Sequence, residues 1–239
     1  MGFVDLHSHV LAALDDGARE LADGLALARQ LAAMGFEIVH ATPHQKAGFF
    51  VPSREQIDGA HAELSAALEK AGVPLELRLG AENFWDDLFL GRVGEKKQPT
   101  YTGGKAFLVE LDVNMAPPRL EETLFQMRLS GPLPVLAHPE RYTAFWQAPE
   151  RLAQVARSAA LLVDLGALEG AHGKKQCEVA RRLLTDGLAH AVASDVHSLA
   201  DARAAGAGMT WIKKKLGADK LNLLLDQNPR SILRGELPD

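Results

Sequence analysis

A short apolar, β-branched run followed by a stretch of helical period recurs along the 239 residues, and each recurrence is the signature of a βα unit. The runs are residues 3–7, 37–42, 75–80, 106–111, 133–137, 161–165 and 189–193. Helical stretches lie between them: 21–34 with leucines at 21, 25, 27 and 31, 53–72 opened by Ser53, then 118–129, 149–156 and 174–184. Asn228-Pro229 reads as an N-cap with proline at the first helical position. No repeat, low-complexity tract or linker divides the chain, so one domain spanning 1–239 is expected. Seven such alternations predict an α/β fold whose parallel strands close into a TIM-like (β/α)7 barrel, one strand short of the familiar eight.

In such barrels the chemistry sits where the strands end, which makes the strand ends the places to search. The first run ends in His7-Ser8-His9, with Asp15-Asp16-Gly17 in the loop beyond. Later runs lead into Thr42-Pro43-His44, Gly80-Ala81-Glu82, Val109-Glu110, Ala137-His138-Pro139-Glu140-Arg141 and Ser194-Asp195-Val196-His197. Six of the seven runs thus deliver a His, Asp or Glu at one end. Residues two apart in extended chain point the same way, so His7 and His9 can converge on one ion, as can Asp195 and His197. A single histidine at a strand end is more often structural than a ligand, but six agreeing ends are not independent accidents. Imidazole and carboxylate together favour zinc, manganese or iron. Five histidines (His7, His9, His44, His138, His197) and four acids (Asp16, Glu82, Glu110, Asp195) exceed what one ion can use, so several ions sharing carboxylates are expected.

Composition removes other classes. The net charge of −5 gives no electrostatic footprint for nucleic acid. The longest apolar run, 159–168, contains Asp164 and falls short of a membrane span, and no signal peptide is visible at the start, so a cytoplasmic location is expected. A single cysteine, Cys177, excludes an internal disulfide; no arginine follows it at the spacing of a Cys-x5-Arg phosphatase loop, and it reads as a buried, inert thiol. Gly103-Gly104-Lys105 lacks the first glycine and the Ser/Thr of a P-loop. Lys213-Lys214-Lys215 reads as a solvated helix face. His40, His61, His172 and His190 lie away from the strand ends and read as structural or exposed, His172 in its Gly-flanked loop being the weakest exclusion.

The motifs resemble the polymerase-and-histidinol-phosphatase (PHP) metallophosphoesterases, and more closely their bacterial tyrosine-phosphatase branch associated with capsule and exopolysaccharide synthesis. The resemblance runs from Asp5-Leu6-His7-Ser8-His9 to Asn228-Pro229-Arg230; the HxH and SDxH motifs are family-wide, whereas Asp-Asp-Gly and His138-Pro139-Glu140-Arg141-Tyr142 point to the branch. It implies a PHP fold, a distorted seven-stranded barrel holding three divalent ions, manganese first among iron, zinc and magnesium. It implies one ion at His7, His9, Glu82 and Asp195, a second at Glu82, Glu110 and His138, and a third at Asp16, His44 and His197. Arg141 matches the phosphate-binding arginine, and the implied catalytic residues are Arg141, Asp195 and His197. The branch places a second such arginine in a Gly-Arg-Pro context; here only Arg203, without that glycine or proline, stands near the position.

The implied activity is hydrolysis of phosphotyrosine in proteins, with the tail of a bacterial polysaccharide-synthesis tyrosine kinase as substrate and partner. Water on a divalent ion loses its proton near pH 7 in favourable sites and so supplies a nucleophile. A guanidinium such as that of Arg141 offers forked donors to phosphoryl oxygens. In the loop beside His44, Phe49 and Phe50 are candidate contacts for a phenyl ring and Lys46 for an acidic peptide or phosphate; packing and solvation are the plain alternatives. Trp85, beside Glu82, reads as packing. The alternative functions are a small-molecule phosphatase, acting on histidinol phosphate or a nucleotide, and a non-catalytic metal-binding module.

Overall fold

The computed structural model describes residues 2–238. Its strands are β1 (Phe3–Ser8), β2 (Phe36–Ala41), β3 (His44–Gln45), β4 (Glu76–Leu79), β5 (Glu82–Phe84), β6 (Ala106–Glu110), β7 (Leu133–Ala137), β8 (Ala160–Asp164) and β9 (Ala191–Ala193). They form two parallel sheets, one of three strands in the order β1-β2-β4 and one of six in the order β3-β5-β6-β7-β8-β9. All seven expected runs contain a strand, but the seven-strand count is not what is found, for local reasons. The second run continues past Thr42-Pro43 as β3, and a proline cannot donate a ladder hydrogen bond. The third continues past Gly80-Ala81 as β5; a Cβ at Gly80 would lie 2.8 Å from the Tyr101 ring. The first strand also meets the segment after β9. Ser8 forms an isolated parallel bridge with Val196, Asp195 N–H donates to His7 O at 2.9 Å, and His9 N–H donates to Val196 O at 3.0 Å.

Both faces of the strands are buried, as parallel sheets require. On one face Val4, Leu6, Ala106, Leu108, Val135, Leu162 and Ala191 form a compact apolar cluster with Tyr101 and Ile232. The alternate residues, among them Phe107, Val109, Leu136, Leu161, Val163 and Val192, join the larger cluster that packs against the helices. Tyr101, fully buried, donates its hydroxyl to Leu6 O at 2.9 Å. Asp5 is buried too, and its carboxylate accepts from Ser194 Oγ and from Ser194 N at 3.0 Å, tying β1 to the end of β9.

The helices Leu21–Ala33, Arg54–Lys70, Leu120–Ser130, Pro149–Val155 and Lys174–Thr185 fall where the periodicity puts them. Ser53 closes a full capping box with Gln56. Asn228 is a correction: the chain arrives through a π-helical turn, Leu223–Gln227, so Asn228 is already helical, and its side chain donates to His190 O at 2.6 Å instead of capping. The helix Leu199–Lys215, absent from the sequence reading apart from its three lysines, crosses Leu165 so closely that a Cβ on Gly208 would stand 2.0 Å from Leu165 O. An alanine inside a helix is ordinarily favourable by up to about 1 kcal/mol over glycine. Here the carbonyl is backbone and cannot swing aside, so Gly208→Ala is expected to lower stability by about 1–3 kcal/mol, read as a lower urea midpoint. An unchanged or raised midpoint would mean that this crossing is looser than described.

Candidate metal centre

The expected donors converge. His7, Glu82, His138 and Asp195 are all buried, His9 is 1% exposed, and Asp16 reaches in from the loop after β1. The centre is organised around Glu82, whose carboxylate lies 3.2 Å from His7 Nε2, 3.4 Å from His9 Nε2, 2.9 Å from His44 Nδ1 and 2.9 Å from His138 Nε2. Asp195 Oδ1 stands 3.3 Å from His7 Nε2 and 3.6 Å from His9 Nε2. Glu110 lies 3.3 Å from His44 Nδ1 and 3.9 Å from His138 Nε2. Asp16 Oδ1 is 3.3 Å from His44 Nε2 and 3.5 Å from His197 Nε2.

Four groupings place all their ligand atoms within 4.8 Å of one another: His9, Asp16, His44, His197; His7, His9, Asp195; His7, Glu82, His138; and His44, Glu82, Glu110. They overlap the three implied ligand sets and differ in detail. His9 falls with Asp16, His44 and His197 as well as with His7, and His44 also faces Glu82 and Glu110.

The donor chemistry fits divalent ions, and three imidazoles are set by what lies behind them. His9 Nδ1 donates to Asp15 Oδ2 at 2.8 Å and His197 Nδ1 to Asp195 O at 3.0 Å. The Tyr142 hydroxyl spends its one proton on Ala137 O, so at 3.2 Å it accepts from His138 Nδ1. Each of the three rings therefore turns its Nε2 inward, the atom that can ligate an ion once it is unprotonated. Two buried atoms in the cluster, His44 Nδ1 and Asp195 Oδ1, have no hydrogen-bond partner among the described residues; His44 Nδ1 is near Glu82 but without hydrogen-bond geometry. Unpartnered buried polar atoms are costly, and atoms of this chemistry aimed into one cluster of acids and imidazoles are what a cation would satisfy.

Backbone conformation aims two of these side chains. His138 and Asp195 have φ of 32° and 47°, the left-handed region that residues with a Cβ rarely adopt. The chain therefore turns sharply at the ends of β7 and β9, with His138 and Asp195 at the turns. At Gly17 a Cβ would lie 2.3 Å from His9 O, so the Asp15-Asp16-Gly17 loop closes on β1 only because that position has no side chain.

Several residues of the centre went unread in the sequence. Asp15 binds His9, and its Oδ2 also accepts from His44 N at 3.1 Å. Asp164 ends β8 on the same face as Ala160 and Leu162, and it was missed because the strand was drawn one residue too far. Alternation from Leu162 was the signal that would have found it. Arg141 donates from Nη2 to Asp164 Oδ2 at 2.6 Å and to Asp195 Oδ2 at 2.5 Å, while its Nε is buried without a partner. His172, set aside in the sequence, joins this group through Asp164. Behind them Glu140 is fully buried; burial and the neighbouring Asp164 push its carboxyl up to about 8.

The other expectations separate. Lys46, Phe49 and Phe50 line a cavity of about 370 Å³ together with Arg141 and every expected donor except His7 and His9. Phe50 stacks on His44 at 5.8 Å, Lys46 Nζ sits 3.9 Å above the Phe84 ring, and Phe49 is 75% exposed. Arg203 is a correction: it projects to solvent from the helix Leu199–Lys215 and lines no described cavity of the site, because the helix turns its neighbours Ala202 and Ala205 inward instead. Cys177 is half-buried rather than buried, with its thiol against Leu168 O at 3.3 Å. Trp85 packs on Phe89. His40 donates to Asp5 O, His61 bonds Leu77 O, and His190 accepts from Leu161 N, all structural roles.

Burial opposes charge on the ligand imidazoles, but the hydrogen bonds and charges of Asp15 and Glu82 outweigh it at His9 and raise its pKa to about 10. At His44 burial is likewise outweighed by Glu82 and Glu110, giving about 11. The His197 hydrogen bond holds Asp16 down to about 2. Both histidines therefore carry protons at pH 7 until a cation replaces them, and ion affinity rises with pH toward those values. Without a metal, the stabilisation from these raised pKa values is fully present below about 6.5 and is lost as pH rises through 10 to 11. Titrating metal-stripped protein with manganese at pH 7 in two buffers of different ionisation heat should show net proton release; a heat independent of buffer would contradict these protonation states.

The sequence profile described as "Capsular polysaccharide synthesis, CpsB/CapC" matches residues 3–234. The tyrosine-protein phosphatase YwqE of Bacillus subtilis (strain 168) is 28% identical over 234 residues, covering 98% of this chain and 92% of its own. The tyrosine-protein phosphatase CpsB of Streptococcus pneumoniae is 27% identical over 249 residues, with 98% and 99% covered. A crystal structure from the pair YwqE and CpsB, metal-dependent tyrosine phosphatases, matches with a TM-score of 0.87 at 28% identity, over 98% of this chain and 95% of that one. The phosphotriesterase homology protein of Escherichia coli shares the fold alone, with a TM-score of 0.56 at 10% identity over 97% and 98% of the chains. The resemblance read from the motifs is thereby borne out.

Proposed function

We propose that this chain, which belongs to the CpsB/CapC capsular polysaccharide synthesis family, is a metal-dependent phosphatase that hydrolyses phosphotyrosine in proteins. The observation that carries the reading is one cavity of about 370 Å³ lined at once by the four acids, by His44, His138 and His197, by Arg141 and by two phenylalanines. Its relatives YwqE and CpsB are tyrosine-protein phosphatases.

In this reading His7, His9, Glu82 and Asp195 hold one ion, Glu82, Glu110 and His138 a second, and Asp16, His44 and His197 a third. Manganese suits this donor set, as do iron, zinc and magnesium. When bound, such ions supply a water deprotonated near neutral pH and offset charge on the phosphoryl oxygens.

The chain's own groups do the rest. Asp15, Tyr142 and Asp195 O fix the ligand rings from behind. Arg141, held in place through Nη2 by Asp164 and Asp195, keeps its Nη1 donors for phosphoryl oxygens. Phe49 stands exposed at the mouth, where a substrate phenyl ring would cover apolar surface that is otherwise open to water. Lys46, above the Phe84 ring, adds a cation for an acidic peptide.

The wider reading follows the same resemblance. The two sheets act as one distorted seven-stranded barrel, closed by the Ser8–Val196 bridge and built as a single domain over 1–239. Among the described residues no helix is long and apolar enough to cross a membrane. The substrate is the tyrosine-rich tail of a bacterial polysaccharide-synthesis kinase, met in the cytoplasm.

Phosphate release from a phosphotyrosine peptide and from histidinol phosphate, measured side by side on metal-stripped protein with and without manganese, tests the reading. Manganese-dependent turnover that strongly favours the peptide is expected. Preference for histidinol phosphate would overturn the substrate, and no turnover of either would overturn the activity. Arg141→Ala should lower kcat/KM by about a hundredfold or more while the protein keeps its manganese, as loss of a donor to developing charge does; an unchanged value would remove that role.

A further inference from the structure

His172 lies in the loop after the 3-10 turn Gly166–Glu169, with its side chain about one-third exposed. With Asp164 it lines a cavity of about 320 Å³ that shares Asp16, Arg141, Asp195 and His197 with the metal-centre cavity. Its Nε2 is in hydrogen-bond contact with Asp164 Oδ2, the same oxygen that receives Arg141 Nη2 at 2.6 Å. Two donors therefore converge on one oxygen, which explains why Nη2 and Nε2 approach to 2.9 Å without either accepting from the other. Asp164 is itself fixed: its side chain is 3% exposed, and its Oδ1 accepts from Gly166 N at 2.7 Å. The other ring nitrogen, Nδ1, has no hydrogen bond among the described residues.

A buried carboxylate that binds one N–H of an imidazole fixes the ring's orientation and leaves the second nitrogen to carry a proton to or from a substrate. The remaining carboxyl and imidazole groups on this cavity belong to the metal centre, except Asp201, whose carboxylate accepts from Ser198 Oγ and His197 N. Partial exposure lets the His172 ring recover a proton from water, which a sealed ring cannot do.

We propose that His172, oriented by Asp164, is the proton donor to the departing phenolate oxygen, a role that rests on the phosphatase reading. The bond from phosphorus to the phenolic oxygen breaks as a water-derived oxygen bonds to phosphorus. The electron pair stays on the phenolic oxygen, which takes the His172 Nδ1 proton and leaves as neutral tyrosine. The imidazole is then reprotonated by solvent. Asp164 is a positioning residue for this step, and Arg141 remains with the phosphoryl group.

The test is the dependence of rate on the leaving group, using manganese-loaded protein of full length. A tyrosine phenol has a pKa near 10, whereas a nitrophenol is much more acidic and leaves without help. His172→Ala and His172→Gln should lower kcat on a phosphotyrosine peptide by about a hundredfold and change kcat on nitrophenyl phosphate by only a few-fold. Asp164→Asn, which also loosens Arg141, should lower kcat on both esters and more on the phosphotyrosine peptide. Equal losses on both substrates would overturn the proposal and make His172 a support for Arg141. Undiminished turnover of phosphotyrosine would overturn it as well. Failure of the unaltered protein to hydrolyse either ester would instead overturn the phosphatase reading, and the proton-donor role with it.

Discussion

A carboxylate taken out of water must meet positive charge, and here that constraint falls on Glu82. It is 1% exposed and faces four imidazoles within 3.4 Å. Burial raises the cost of its charge, and the charges of His7 and His44 with the His138 hydrogen bond hold its pKa well below the ordinary range regardless. Those imidazoles come from β1, from the segment following it, from β3 and from the end of β7, so satisfying one carboxylate fixes the relative positions of elements far apart in sequence. Asp195 repeats the pattern after β9, between His7 and Arg141. Breaking such a group by removing one partner leaves a buried charge uncompensated, which is costlier than the loss of any single surface pair.

The apolar layers give the positions and the backbone gives the aim. Alternation along β6, β7, β8 and β9 fills both faces of the sheet, and the inward series continues past the apolar residues into Glu110, Asp164 and Asp195. At His138 and Asp195 the left-handed backbone sets the turn at which each side chain leaves its strand. Strain at two strand ends on either side of β8 persists only where the surroundings over-determine it, and the Tyr142, Asp5 and Ser194 hydrogen bonds do that here.

The sequence was informative where periodicity or placement carries the message. Each apolar run contains a strand, and every acid or histidine chosen at a strand end lies at the centre, because parallel βα units must deliver their strand ends to one side. It was silent where geometry depends on non-local contacts. Nothing in Gly80 alone announces that its strand breaks, since the Tyr101 ring behind it arrives from a distant loop. Asp164 was hidden by a strand boundary misplaced by one residue, and with it the reason for His172 to be there. Arg203 looked available because it follows the last motif, but the helix it sits on turns it to solvent. The aim of Arg141 at two carboxylates is a tertiary fact that no spacing encodes.

In the proposed reading, donors from separate strand ends form one cation centre around Glu82. Anomalous diffraction from crystals grown with manganese, recorded on both sides of its absorption edge, tests it directly. Anomalous peaks are expected among His7, His9, Glu82 and Asp195, beside Glu110 and His138, and beside Asp16, His44 and His197. Crystals whose manganese peaks all lie elsewhere, with Glu82 and Asp195 bonded only to protein groups, would contradict it.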